Sequence, residues 1–266
     1  MRVFILLVLM VTFTFTSCEK VIDIALNDSE KRYVIEGVLT NRQGDCAVRV
    51  SQTQNFNNNN DFEGITGAVV SITDHNGNAT TLTDIAATGV YRSGTLTAVT
   101  GSNYTLKVAV GGEVFTASCT MPAMVSMDSL YIQEERFFGE TVQLANVTFT
   151  DPPGKGNSYR FVQYVNGLKE RNIFIRDDDY SDGKASVVTL FTAPDDDGDE
   201  IQSGDTVKVD MLCIAPAVYK YWYSLDQGAS GYSNSASPAN PVTNIEGGAL
   251  GYFSVHTVQS KTVVVP

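Results

Sequence analysis

Short runs of alternating apolar and polar residues, cut at close intervals by glycine- and asparagine-bearing turns, fill most of this chain and confine it to β architecture. Tyr33–Thr40 is rich in β-branched and apolar residues, residues 46–53 alternate, and Gln43-Gly44-Asp45 joins them as a hairpin. Residues 68–73 and 79–83 flank Asp74-His75-Asn76-Gly77-Asn78, a turn built round an Asn-Gly pair that tolerates positive φ. Gly89-Val90-Tyr91 opens a further strand, and Gly111-Gly112 joins residues 104–110 to Glu113–Thr120. About seven short strands at this spacing, without a helical period, predict an immunoglobulin-like or transthyretin-like β-sandwich over residues 33–122.

Pro122 and the apolar stretch to Val125 mark the crossing into a second β-rich domain, residues 123–266. Strands are expected there at 128–135, 143–150, 159–165, 172–175, 185–192, 206–214, 250–256 and 261–265, with an Asn166-Gly167 turn after the third. One short helix is expected near 216–226. Val218, Tyr221, Trp222 and Leu225 recur at helical spacing, Pro216 stands near the first turn and Gly228 past the end. Residues 228–248 are rich in Gly, Ser, Asn and Pro and read as a long surface loop, in which Tyr232, Asn234, Asn240 and Asn244 are candidates for ligand or partner contact.

The first eighteen residues have a separate logic. Arg2 supplies a positive charge, residues 3–15 form an apolar run too short to span a bilayer, and Phe15-Thr16-Ser17 leads into Cys18, followed by Glu19-Lys20. This is the shape of a lipoprotein cleavage site, with Cys18 as the point of lipid attachment and residues 19–32 as a tether. The alternative is a plain signal peptide that leaves Cys18 an ordinary thiol. Removing residues 1–18 takes away Arg2 and no acid, leaving 17 basic against 30 acidic residues and a net charge of −13, which argues against nucleic acid as a partner.

The segments Cys18-Glu19-Lys20-Val21-Ile22-Asp23, Val34-Ile35-Glu36-Gly37, Phe149-Thr150-Asp151-Pro152-Pro153-Gly154 and Gly247-Gly248-Ala249-Leu250-Gly251-Tyr252-Phe253 together carry a resemblance. In order and spacing, over essentially the whole mature chain, the sequence resembles the domain-of-unknown-function 4249 family of Bacteroidetes outer-membrane lipoproteins. The resemblance implies an accessory or ligand-binding role beside a TonB-dependent outer-membrane receptor in nutrient uptake, and it transfers no catalytic residue. Glu19-Lys20-Val21 departs from the Lys-then-acidic pattern of surface-exposed lipoproteins of that phylum, so cell surface and periplasmic face both stay open.

Little in the chain points to catalysis. Its two histidines, His75 and His256, fall in different halves, which excludes a multi-histidine zinc site. Gly228-Ala229-Ser230-Gly231-Tyr232 is one residue out of register for a nucleophile elbow. Paired carboxylates leave no local motif, so an anchored hydrolase acting on glycan or peptide stays as the alternative, beside a purely structural envelope protein. Two acidic loops, 177–183 and 195–200, offer oxygen ligands of the kind Ca²⁺ takes at Asp177, Asp179, Asp195, Asp197 and Asp199. Neither fits the EF-hand register, and solvated acidic turns are the plainer reading of both. Tyr159, Tyr164, Tyr219, Tyr221, Trp222, Tyr223 and Tyr232 offer an aromatic platform, or else pack as core. Cys46 shares a face with Val48 and Val50, and Cys119 with Phe115 and Ala117, so both point into one core, as a disulfide or as buried thiols; Cys213 reads as core elsewhere.

Overall fold

A computed structural model describes residues 31–54, 62–137, 139–191, 200–229 and 240–266. The signal segment, Cys18, most of the tether, Asp195, Asp197, Asp199, Tyr232 and Asn234 lie outside the described residues. In chain order the elements are β1 (Tyr33–Thr40), β2 (Cys46–Gln52), β3 (Val69–Thr73), β4 (Ala79–Leu82), β5 (Val90–Ser93), β6 (Asn103–Val110), β7 (Glu113–Thr120), β8 (Met127–Phe137), β9 (Glu140–Thr150), β10 (Ser158–Val165), β11 (Leu168–Lys169), β12 (Phe174–Asp177), β13 (Ala185–Leu190), β14 (Thr206–Cys213), α1 (Pro216–Ala229) and β15 (Leu250–Val264). The molecule is therefore all-β with one helix among the described residues, as the alternation requires.

Three sheets form. An eight-stranded sheet runs β11-β10-β14-β15-β1-β2-β5, with β12 also paired to β10; a four-stranded sheet runs β4-β3-β6-β7; a three-stranded sheet runs β13-β9-β8. Ile35, Leu39, Val48 and Val50 of the large sheet meet Val70, Ile72, Leu106 and Phe115 of the four-stranded sheet in one core. Tyr159, Phe161, Val209 and Met211 meet Ala145, Val147, Phe149 and Leu190 in a second. These are the inward positions of a period-two pattern, and the cysteines follow it: Cys46 and Cys119 are buried in the first core, Cys213 in the second, all as free thiols.

The C-terminal strand departs from expectation. The two strands expected at 250–256 and 261–265 are one continuous 15-residue strand. Its first half pairs in parallel with β1, from Val34↔Leu250 to Thr40↔His256, and its second half pairs antiparallel with β14, from Cys213↔Thr257 to Thr206↔Val264. Phe253 and Val255 bury in the first core, while Val265 just beyond the strand buries in the second. The expected boundary near residue 122 is thus crossed by the last strand, and residues 31–266 pack as one unit.

Two smaller differences have local causes. Asn166 and Gly167 both adopt positive φ, 50° and 84°, and close a two-residue turn as expected. The return strand expected at 172–175 is instead divided into β11, which follows the turn directly, and β12, both paired to β10. The helix extends to Ala229, so Gly228 lies inside its last turn and not beyond it. Val218 is fully buried and Tyr221 nearly so, which anchors that face of α1 on the large sheet.

Candidate functional site

The acidic loop at 177–183 has a structural occupation. Asp178 is buried, and its Oδ2 accepts hydrogen bonds from the backbone N–H of Gly156 at 2.7 Å and Asn157 at 2.9 Å. Asp182 Oδ1 accepts from Gly154 N at 2.7 Å, and Lys155 Nζ donates to the carbonyls of Asp178 at 2.7 Å and Asp179 at 2.9 Å. The Pro-Pro-Gly-Lys-Gly turn presents N–H groups that no strand satisfies, and these carboxylates satisfy them. Calcium at Asp177 and Asp179 is not assembled: among the described residues no three His, Cys, Asp or Glu side chains gather round a point. Asp151 of the same turn is fully buried and accepts a hydrogen bond from the Tyr159 hydroxyl. Burial, followed by that carboxylate, pushes the Tyr159 phenol well above its ordinary range. Tyr159 therefore belongs to the second core and not to an aromatic platform.

The loop residues divide likewise. Asn244 donates through Nδ2 to Phe253 O at 2.8 Å and accepts at Oδ1 from Phe253 N at 2.9 Å, mimicking a strand partner for β15. Its amide holds the sheet and is not offered to a ligand. Asn240 is exposed.

The outer face of the large sheet, partly covered by α1, gathers the richest chemistry. Cross-strand register puts Arg160 and Tyr164 of β10 on one face with Lys169 of β11, Leu212, Asp210 and Lys208 of β14, Tyr252, Ser254 and His256 of β15 and Glu36 of β1. The Arg160 guanidinium lies 3.5 Å from the centre of the Trp222 ring on α1, a cation–π stack. Tyr221 and Trp222 each pack on Tyr252, with ring centres 4.8 Å and 5.1 Å apart. Arg160 Nε is buried without a hydrogen-bond partner. Lys208 and Asp210 form an ion pair at 3.2 Å, and Arg160 is in none among the described residues.

The electrostatics agree with this inventory. Burial lowers the pKa of Arg160 from its ordinary value, and the tyrosines beside it partly offset the effect. Partial desolvation of the ammonium and then Arg160 lower that of Lys169, and Glu36 partly offsets them. Tyr221 is pushed up to about 12 by burial first and Glu36 second. Deeper in the face, Ser254 Oγ lies 2.8 Å from His256 Nδ1, both buried, and burial followed by Arg160 pushes the imidazole down to about 3, so it stays neutral. By contrast, a cavity of about 220 Å³ at the junction of the two cores, lined by Val125, Tyr159, Cys213, Ile214 and Pro216, is mostly apolar. It is smaller than the roughly 300 Å³ at which ligand pockets begin.

Of the aromatic candidates, Tyr164, Tyr221 and Trp222 belong to this face. Sequence reasoning missed Glu36, Arg160, Lys169 and Tyr252. The available signal was that Glu36 and Tyr252 stand in two of the segments that carry the resemblance, and in the structure those segments pair directly, Glu36↔Tyr252 and Gly37↔Phe253.

A family model described as "Domain of unknown function (DUF4249)" matches residues 19–262. No curated protein matches. Among solved structures, a two-domain fibronectin type-III segment of chicken tenascin is similar over 89% of this chain and 100% of its own, at 10% identity and a TM-score of 0.26. The chicken interferon gamma receptor alpha chain is similar over 89% of this chain and 98% of its own, at 10% identity and a TM-score of 0.25. At such scores neither says more about this chain.

Proposed function

This chain belongs to the domain-of-unknown-function family DUF4249, and on that premise we propose that it is a lipid-anchored, non-enzymatic binding protein of the outer membrane, acting as accessory subunit to a TonB-dependent receptor. The observation that carries the reading is the Arg160–Trp222 face: charge and aromatic planes, the groups of recognition chemistry, mounted on the one sheet that both cores share. The export signal ending at Cys18 supports the anchor, and the resemblance supports the receptor.

The test is an affinity pull-down of the lipidated protein from native membranes, with mass spectrometry of the partners and of the Cys18 peptide. The reading expects a stoichiometric outer-membrane receptor and an acylated Cys18. A lone protein, under conditions that preserve other receptor complexes, would overturn it. One observation favours the rival hydrolase, the Ser254–His256 contact; turnover of a glycan or peptide panel that Ser254→Ala abolishes would establish that reading instead.

A further inference from the structure

The Arg160 face carries an excess of positive charge, opposite in sign to that of the chain. The chain as a whole is strongly acidic, at −12. On this face the Lys208–Asp210 pair cancels, which leaves Arg160, Lys169, Arg49 and Arg92 against Glu36 and Asp177, an excess of two positive charges. Lys169 sits directly across from Tyr164, and Tyr164 is one further pair of positions along β10 from Val162 and Arg160, so both cations project from the same side of one hairpin. Arg160 disfavours the charged form of Lys169 and Glu36 favours it, while neither cation is in an ion pair among the described residues.

A guanidinium has five donors in a planar fork. Here Nε is buried with no acceptor and the flat side is occupied by Trp222, while the side chain as a whole is only half-buried, so a ligand meets the guanidinium at its terminal nitrogens. A carboxylate in the plane of the fork makes there the charge-assisted, two-pronged contact that this cation otherwise lacks. The surrounding rings supply apolar faces, with hydroxyls at the tips of Tyr221, Tyr252 and Tyr164 and an N–H on Trp222. Glu36 stands at the far side of Tyr252 and disfavours a second negative charge there.

We propose that Arg160 and Lys169 form a receptor for a single carboxylate carried on a ring-bearing body such as an acidic sugar, seated against Trp222 and the tyrosines around it. The inference rests on the binding reading above but not on the receptor partner. The site takes one carboxylate by the guanidinium fork, uses Lys169 as a second point charge, and leaves Glu36 to meet hydroxyls of the same ligand.

Trp222 is the only tryptophan in the chain, so its emission reports this site alone. The experiment is a fluorescence titration of the purified full-length protein with a short oligogalacturonate, its neutral galactose counterpart and inorganic phosphate. The expected result is a saturable change with oligogalacturonate only, weakened about tenfold or more by Arg160→Lys, which keeps the charge and loses the fork, and severalfold by Lys169→Gln. Lys169 is exposed, so that variant folds whatever happens to the other. Equal binding of the neutral sugar, preference for phosphate, no saturable change, or unaltered affinity in Lys169→Gln would each overturn the proposal. None of these outcomes touches the pull-down result, which stands or falls by itself.

Discussion

Gly251 of β15 lies so close to Ile35 of β1 that a methyl group on its Cα would sit 2.0 Å from the Ile35 carbonyl oxygen, and its φ is +100°. Close approach and left-handed backbone coincide where the last strand first joins the first. Gly251→Ala should therefore lose more than about 2 kcal/mol of stability, because backbone strain and a backbone clash add. Gly44→Ala, at φ +89° with nothing within 4 Å, should lose only about 1 kcal/mol. Urea denaturation of the two variants checks the difference; equal losses would show that the approach to Ile35 is not what demands glycine.

Asp178 holds two backbone N–H groups of the Gly156-Asn157 turn. Asp178→Ala should cost about 2–3 kcal/mol, since two hydrogen bonds to a charged acceptor are lost from a buried position. Any effect of calcium on the melting temperature should be the same in Asp177→Asn as in the parent protein. A calcium-dependent rise that Asp177→Asn abolishes would assign the loop to the metal instead.

His256 gives stability a dependence on acid. Its native pKa, about 3, lies below its ordinary 6.5, so the unfolded chain binds a proton that the native protein refuses. The contribution is fully present above pH 6.5 and is lost as pH falls, at about 1.4 kcal/mol per unit, down to the native value. Between pH 6.5 and 4 the melting temperature of the parent should fall more steeply than that of His256→Gln. Parallel curves would mean that the imidazole is not held neutral.

Cys46, Cys119 and Cys213 are buried free thiols, and burial pushes Cys46 up to about 11. At pH 8 none should react with a thiol reagent in the native protein, because neither access nor thiolate is available. In denaturant without reductant all three should react. Labelling of one alone would reveal a bond between Cys46 and Cys119.

Much of this architecture was legible in the residues. The Asn76-Gly77 turn closes as expected, with Asp74 Oδ1 accepting from Asn76 N and Asn78 N, because turn chemistry is local. The faces carrying Cys46, Val48 and Val50, or Phe115, Ala117 and Cys119, were readable because the strand period is two. The helix was readable from Val218, Tyr221 and Trp222, although its end was not: Gly228 is compatible with both a last turn and a cap. The site was mostly illegible. Arg160 and Trp222 are far apart in the chain, and no spacing rule relates a strand residue to a helix residue laid across it.

The all-β class, the hairpins and the inward faces of the strands follow from the order of residues alone, because each rests on interactions between neighbours in the chain. That residues 250–264 form one strand shared by two cores follows only from the folded arrangement. It alone also turned the acidic loop 177–183 toward backbone N–H groups and brought Arg160, Trp222, Tyr252 and Glu36 to one face. The physical reason is the same in each case: strand pairing and side-chain stacking join residues across any sequence separation, and a residue's type does not name its partner.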